Sequence, residues 1–332
     1  MKKLPPVLIL LFCIVLFCAC SASGQYFLFG TFCEIKIEIE DSGARKTERE
    51  IADMLKRLDD LFSPTLEGSD IWRINAATGG VAVEIAEETA QALAICQKIY
   101  ENSGGAFDPT VYPLVKLWKF SPDTYTGLGQ TPPQKTQIDA LLNFVGFSQM
   151  LDIDFENNSV TKAYSQVQID LGGVAKGYAA QLAAKILNGK KALVNLGGNI
   201  LCSGRNYKIG VAHPRAAAPY FGSMTVGGGL SVSTSGDYER RYQYDDVFYH
   251  HIINPATGYP AGFDQNGALL SGRLISVTVV SSFHGECDAA ATAALVLGKE
   301  MGEAFLRECG YSAILIDAGL NYFVVGDLDF AV

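Results

Sequence analysis

This 332-residue chain contains no Cys-x-x-Cys pair. Beyond Cys20 its cysteines are Cys33, Cys96, Cys202, Cys287 and Cys309, an odd and scattered set that suggests neither a disulfide framework nor a zinc or thioredoxin-like motif. No short internal repeat and no low-complexity tract occurs, so a solenoid or array is excluded. Positive charge is scarce: 26 Lys and Arg stand against 35 Asp and Glu, a net charge of −9, which argues against non-specific nucleic-acid binding. Neither a Walker A sequence nor a Gly-x-Gly-x-x-Gly fingerprint is present. The paired acids Asp152/Asp154, Asp245/Asp246 and Asp327/Asp329 have no second acidic cluster to face, and so do not make a catalytic carboxylate pair.

What is present describes an ordinary globular protein, 48% apolar and 18% charged, long enough for one large domain or two. Lys2 and Lys3 precede an unbroken apolar run over residues 7–19, too short to span a bilayer, and residues 1–19 read as a secretory signal. Its end, Phe17-Cys18-Ala19-Cys20, resembles a bacterial lipobox, with Cys20 as the lipidated first residue of the mature chain. The alternative is an uncleaved anchor helix. Both place the body outside the cytoplasm, tethered to the membrane, with residues 20–25 as a Ser/Gly linker.

Strict alternation over residues 33–40 predicts a half-buried strand, and Ile51, Met54, Leu55, Leu58, Leu61 and Phe62 recur at helical spacing within 46–62. Further helices are expected at 86–102, 138–145, 178–187 and 285–309. A hairpin is expected at 150–162 around Asn157-Asn158, and strands at 191–195, 275–281, 313–317 and 321–325. Hairpins mixed with helices, rather than strict strand–helix alternation, favour an α+β fold with mixed, largely antiparallel sheets and flanking helices.

Candidate chemistry gathers in a few loops and one helix. Asp288 and Thr292, four residues apart among alanines, share a helix face and could offer two hard oxygens to a cation. The plainer reading is a packed alanine helix with an ordinary first-turn acid. Leu171-Gly-Gly-Val-Ala-Lys-Gly177 puts glycines ahead of a helix start, where free N–H groups attract phosphate. Lys176 in that first turn opposes the helix dipole and calls for an anionic partner, unless it is a surface lysine beside a tight turn. Residues 233–236 and 255–258 are hydroxyl-rich loops, each alone an ordinary turn. Of His250 and His251, adjacent on a strand, at most one faces any given site, where it could act as a general base. Gly104-Gly-Ala-Phe-Asp-Pro109 could line a planar ligand.

In order, Phe29-Gly-Thr31, residues 69–75, Gly105-Ala-Phe-Asp-Pro-Thr110, residues 170–180, Val194-Asn-Leu-Gly-Gly-Asn199, Ser235-Gly-Asp-Tyr-Glu-Arg240, His251-Ile-Ile-Asn-Pro-Ala-Thr-Gly258 and residues 288–292 resemble the ApbE family of FAD:protein FMN transferases. The resemblance runs from about residue 26 to the end. It implies a two-lobed single catalytic unit over 26–332 that binds FAD and Mg²⁺ and moves FMN to a threonine hydroxyl of an acceptor protein, releasing AMP. It further implies Gly173, Asp288 and Thr292 as metal ligands, and Phe29, Ala106, Phe107, Asp108, Asp170, Lys176, Ile253 and Thr257 as FAD-binding positions. His251 or Asp288 would assist deprotonation of the nucleophile. Alternatives are a Mg²⁺-dependent FAD pyrophosphatase and a non-catalytic flavin-binding lipoprotein. The chain departs from the common pattern at Phe29, Thr65, Gln181 and Asn254, and in a long connection over 261–274.

Overall fold

The computed structural model describes residues 21–38, 43–215 and 218–332. The expected signal segment, Cys20 and residues 39–40 of the strand expected over 33–40 lie outside the described residues. The core is one eight-stranded sheet made of β1 (Ser21–Leu28), β2 (Thr31–Glu38), β3 (Ala192–Leu196), β4 (Asn199–Ser203), β5 (Leu230–Gly236), β6 (Leu274–Ser281), β7 (Ser312–Asp317) and β8 (Tyr322–Val325). These strands lie side by side in chain order, every neighbouring pair antiparallel. The α+β expectation holds, and the main sheet is antiparallel throughout. Apart from a short C-terminal strand, Phe330–Ala331, the other elements are inserted between its strands.

The largest insertion, between β2 and β3, forms a helical lobe. It carries α1 (Ala44–Phe62), α2 (Glu87–Asn102) and α3 (Ala175–Leu187), with a small sheet at Ala82–Glu84, Leu151–Asp154 and Ser159–Lys162. The expected hairpin around Asn158 is there, with Asn158 at φ 49°. Between β6 and β7 runs α4 (Cys287–Glu308). Ile51, Leu55, Leu58 and Phe62 of α1 are buried with Ala179 and Ala183 of α3 and Val277 and Val279 of β6 in one core. On the sheet's other face, Ile275, Ile314 and Ile316 pack against Ile209, Val211 and Met224 of a small sheet formed by Tyr207–Ala212, Tyr220–Val226 and Phe330–Ala331. All eight residues of β6 are consequently buried, the small polar Ser276, Thr278 and Ser281 included.

The linker expected over residues 20–25 is corrected for 21–25. These residues extend β1, paired from Ser21↔Glu38 to Gln25↔Glu34. Their composition looks like a linker because the inward positions are small: Ala22 is buried, and Gly24 sits against Glu48 of α1, leaving no apolar alternation to read.

Candidate active site

A cavity of about 630 Å³ opens among the turns between strands, within the range of ligand pockets. Antiparallel order brings the β1–β2 turn, the β3–β4 turn and the end of β5 to the same end of the sheet. Phe29, Gly197 and Ser235 from these three segments all line the cavity. Further walls come from the end of α1 and the residues after it, the loop after α2, the start of α3, Glu239 and Arg240, the segment following His250 and the first two turns of α4.

The start of α3 meets the start of α4 at close range. A Cβ on Gly177 would stand 2.8 Å from the Gly285 carbonyl oxygen and 3.2 Å from Asp288 Cβ, so only glycine permits this approach. The proximity sets Lys176 Nζ 3.4 Å from Asp288 Oδ2 and 3.2 Å from the Gly172 carbonyl. The anionic partner that Lys176 required is therefore Asp288. Although near the ammonium, Asp288 Oδ2 is buried and accepts no hydrogen bond. One turn on, Thr292 Oγ1 lies 3.0 Å from Ser235 Oγ, and a Cβ on Gly173 would stand 3.8 Å from Thr292 Oγ1. Gly173, Asp288 and Thr292 thus lie close together in the cavity wall. The alanines between and after them, Ala289, Ala290, Ala291, Ala293 and Ala294, are fully buried. Their small size seats α4 against the sheet and α3, so the packing reading of the alanines and the site reading of Asp288 both hold.

Among the described residues no three His, Cys, Asp or Glu side chains gather to hold a metal ion. The side-chain oxygens here, one carboxylate and one hydroxyl, are hard donors, with the Gly173 backbone adjoining Thr292. An unsatisfied buried carboxylate oxygen with so few protein ligands fits Mg²⁺, which keeps several waters and shares substrate phosphates. These residues fit the implied metal.

Phe29 holds a left-handed backbone, φ 53°, with its N–H donated to Asp59 Oδ1 at 2.9 Å. Burial pushes the Asp59 carboxyl up. Opposite, Ser103 Oγ accepts from Phe107 N at 3.2 Å and sets the loop that presents Ala106 and Phe107 to the cavity. Asp108 also borders the cavity, but its carboxylate is engaged in the fold. Oδ1 accepts from Thr110 N at 2.8 Å and Thr110 Oγ1 at 2.6 Å, and Oδ2 accepts from Phe147 N at 3.0 Å. Asp108→Ala should lower stability by about 2–3 kcal/mol through its stranded donors, read as a shifted urea midpoint in flavin-free protein. Asp170, pushed up by burial, accepts from Gly172 N at 3.0 Å and shapes the glycine turn before α3.

The adjacent histidines separate as strand geometry requires. His250 is buried and donates from Nε2 to the Ala261 carbonyl at 2.9 Å, while His251 lines the cavity. Burial, then the neighbouring His250, Arg240 and Lys176, push the His251 imidazole down to about 3. Its Nδ1 is buried without a partner, so no acid orients it. In ligand-free protein it is neutral at pH 7, the protonation state a base needs, but a weak base. The depressed value means the unfolded chain binds the proton first, so His251 costs stability as pH falls from about 6.5 towards 3. Its ring carbons should show no NMR titration step between pH 5 and 8 in the free protein; a step near 6.5 would contradict this environment.

Ile253 lines the cavity, but Thr257 does not. Residues 254–258 form a closed turn with Gly258 N donating to Asn254 O at 2.8 Å, and Thr257 Oγ1 accepts from Tyr259 N at 3.3 Å. The Gly258 carbonyl accepts from buried Trp118 Nε1 at 2.8 Å, which ties this loop to an aromatic cluster. Thr257, expected as an FAD-binding position, thus sits in a structural turn outside the cavity lining. Lining residues given no role in the sequence include Asp59, Asn199, Glu239 and Arg240. Arg240 closes a recognised motif, but adjacent Glu239 and Arg241 give no signal as to which side chain turns inward.

Comparison with known proteins now bears on this geometry. The ApbE family model matches residues 29–315, which takes in every wall of the cavity. The chain belongs to the ApbE family. Within it, the chain is 33% identical over 259 residues to an FAD:protein FMN transferase of Klebsiella pneumoniae, covering 77% of each chain. It is 29% identical to an FAD:protein FMN transferase of Treponema pallidum, covering 87% of this chain and 82% of that one. The crystal structure of the ApbE protein of Thermotoga maritima superposes with a TM-score of 0.80 at 31% identity, over 92% of this chain and 96% of that one. The Pseudomonas stutzeri flavinyl transferase ApbE gives 0.76 at 27% identity, over 92% and 93%.

Proposed function

We propose that this ApbE-family chain is an FAD:protein FMN transferase that uses Mg²⁺ and a threonine hydroxyl of an acceptor protein. The observation that carries the reading is the meeting of Lys176, Asp288, Thr292 and Gly173 in one cavity with a wall of Phe29, Ala106 and Phe107. In the reaction the threonine oxygen bonds to the FMN phosphorus. The bond from that phosphorus to the bridging oxygen breaks, AMP leaves with the electron pair, and the threonine proton is released. A bound Mg²⁺ would supply positive charge to the phosphoryl oxygens, held by Asp288, Thr292 and the Gly173 carbonyl. Lys176, within reach of Asp288, adds a fixed ammonium beside the same phosphate. His251, neutral in the cavity, is positioned to accept the threonine proton once the anionic substrate raises its basicity.

The lipobox-like Cys20 supports attachment of a lipid there, with the body held at the extracytoplasmic face of the cell membrane. No helix among the described residues is long and apolar enough to cross a membrane. The decisive assay incubates the chain from residue 21 with FAD and Mg²⁺, with and without a threonine-bearing acceptor, and follows acceptor mass and AMP. A gain of one FMN on the acceptor is expected. Equal AMP and free FMN release without acceptor would make hydrolysis the primary reaction.

A further inference from the structure

Arg240 lines the cavity, yet no carboxylate pairs with it among the described residues. Lys176, the other cation in the wall, is already beside Asp288. Arg240 immediately precedes the hairpin Arg241–Tyr244 and Val247–His250. Neighbouring Arg241 turns away and lies 4.4 Å over the Phe248 ring, whereas the Arg240 guanidinium reaches the β1–β2 turn, 3.5 Å from where a Cβ on Gly30 would stand.

Its backbone is fixed on both sides. The Arg240 carbonyl accepts from His251 N at 3.1 Å. Three residues earlier, buried Asp237 is gripped by Arg215 through two bonds of 2.7 and 2.8 Å, while its N–H donates to Ile275 O at 3.0 Å. The charge of Arg240 acts, together with that of Lys176, on both Asp170 and His251, so two cations carried by separate elements bear on the same part of the cavity. A permanently ionised, planar fork of donors that no carboxylate binds directly among the described residues is suited to phosphate oxygens.

The reaction supplies a reason for a second cation. FAD brings two negative charges on its pyrophosphate. The products are a phosphodiester with one and AMP with two, the released proton making up the difference, so negative charge grows on the departing phosphate as the bond breaks. We propose that Arg240 is a catalytic residue that grips the FAD pyrophosphate with two guanidinium donors and offsets the charge appearing on AMP, an inference that rests on the FMN-transfer reading.

The test compares wild type with Arg240→Gln and Arg240→Ala. In EDTA, flavin fluorescence should show FAD affinity falling at least about tenfold in Arg240→Gln, with ADP competing correspondingly less well, while riboflavin affinity stays within about twofold. With Mg²⁺ and acceptor, kcat/KM should fall about 10²- to 10³-fold, and millimolar guanidinium should restore part of the activity of Arg240→Ala. Unchanged FAD and ADP affinity and turnover in Arg240→Gln would overturn the proposal. So would a parallel loss of riboflavin affinity and thermal stability without guanidinium rescue, which marks a structural role. Failure of the wild type itself to form FMN-acceptor would instead strike the FMN-transfer reading.

Discussion

Asp288→Ala is expected to lower kcat/KM for FMN transfer by about 10³-fold, corresponding to about 4 kcal/mol of lost stabilisation of the transferring phosphoryl group. Two further measurements separate a metal ligand from a structural acid. Asp288 Oδ2 is buried with no hydrogen-bond donor, and its one charged neighbour is Lys176 at 3.4 Å. Removing a carboxylate held so poorly strands no backbone donor, so the metal-free variant should unfold within about 1 kcal/mol of wild type. Mg²⁺, which should raise the melting temperature of wild type by binding only the folded state, should no longer do so in the variant. Unchanged AMP release in Asp288→Ala, or an equal Mg²⁺-induced rise in both proteins, would remove Asp288 from the metal site.

Gly177→Val should be nearly as damaging while adding no charge and deleting no proposed ligand. The position lies where α3 and α4 approach most closely, with the Gly285 carbonyl 2.8 Å and Asp288 Cβ 3.2 Å from the place a Cβ would occupy. A branched side chain forces the two helix starts apart, at a cost of about 1–3 kcal/mol from overpacking. Because Lys176 and Asp288 sit on opposite sides of that contact, a shift on the order of 1 Å should cost roughly 10² in kcat. Gly177→Ala should fall between Gly177→Val and wild type in both stability and rate. Full activity in a destabilised Gly177→Val would show that the spacing of these helices does not set the catalytic geometry.

Much of this architecture could be read from residue order because its signals are local. The spacing of Ile51, Leu55, Leu58 and Phe62 marks α1 as amphipathic, and the alternation after Cys33 marks β2. The opposition of Lys176 to its own helix dipole requires a partner, and Asp288 is that partner. Other features depend on chain segments far apart and leave no local trace. Residues 21–25 look like a linker because their pairing is dictated by β2 rather than by any alternation of their own. Thr257 has the residue type of a ligand contact, but the adjoining turn uses its hydroxyl for Tyr259 N. Asp108 likewise carries its loop and the start of the Phe147–Met150 helix. Arg240 could not be distinguished from Arg241 until the hairpin placed one over Phe248 and the other in the cavity.

The sheet's simple order has a kinetic consequence. β2 and β3 are adjacent, yet the whole helical lobe lies between Glu38 and Ala192, and β6 and β7 are separated by α4. Such a sheet cannot zip from one hairpin to the next; each of these junctions must wait for an inserted unit to close a long loop. The cavity draws walls from both inserted units, the helical lobe and the start of α4, as well as from the turns of the sheet. Flavin binding should therefore appear in the last phase of refolding, with no fragment of the chain retaining it, so that FAD itself reports completion of the fold.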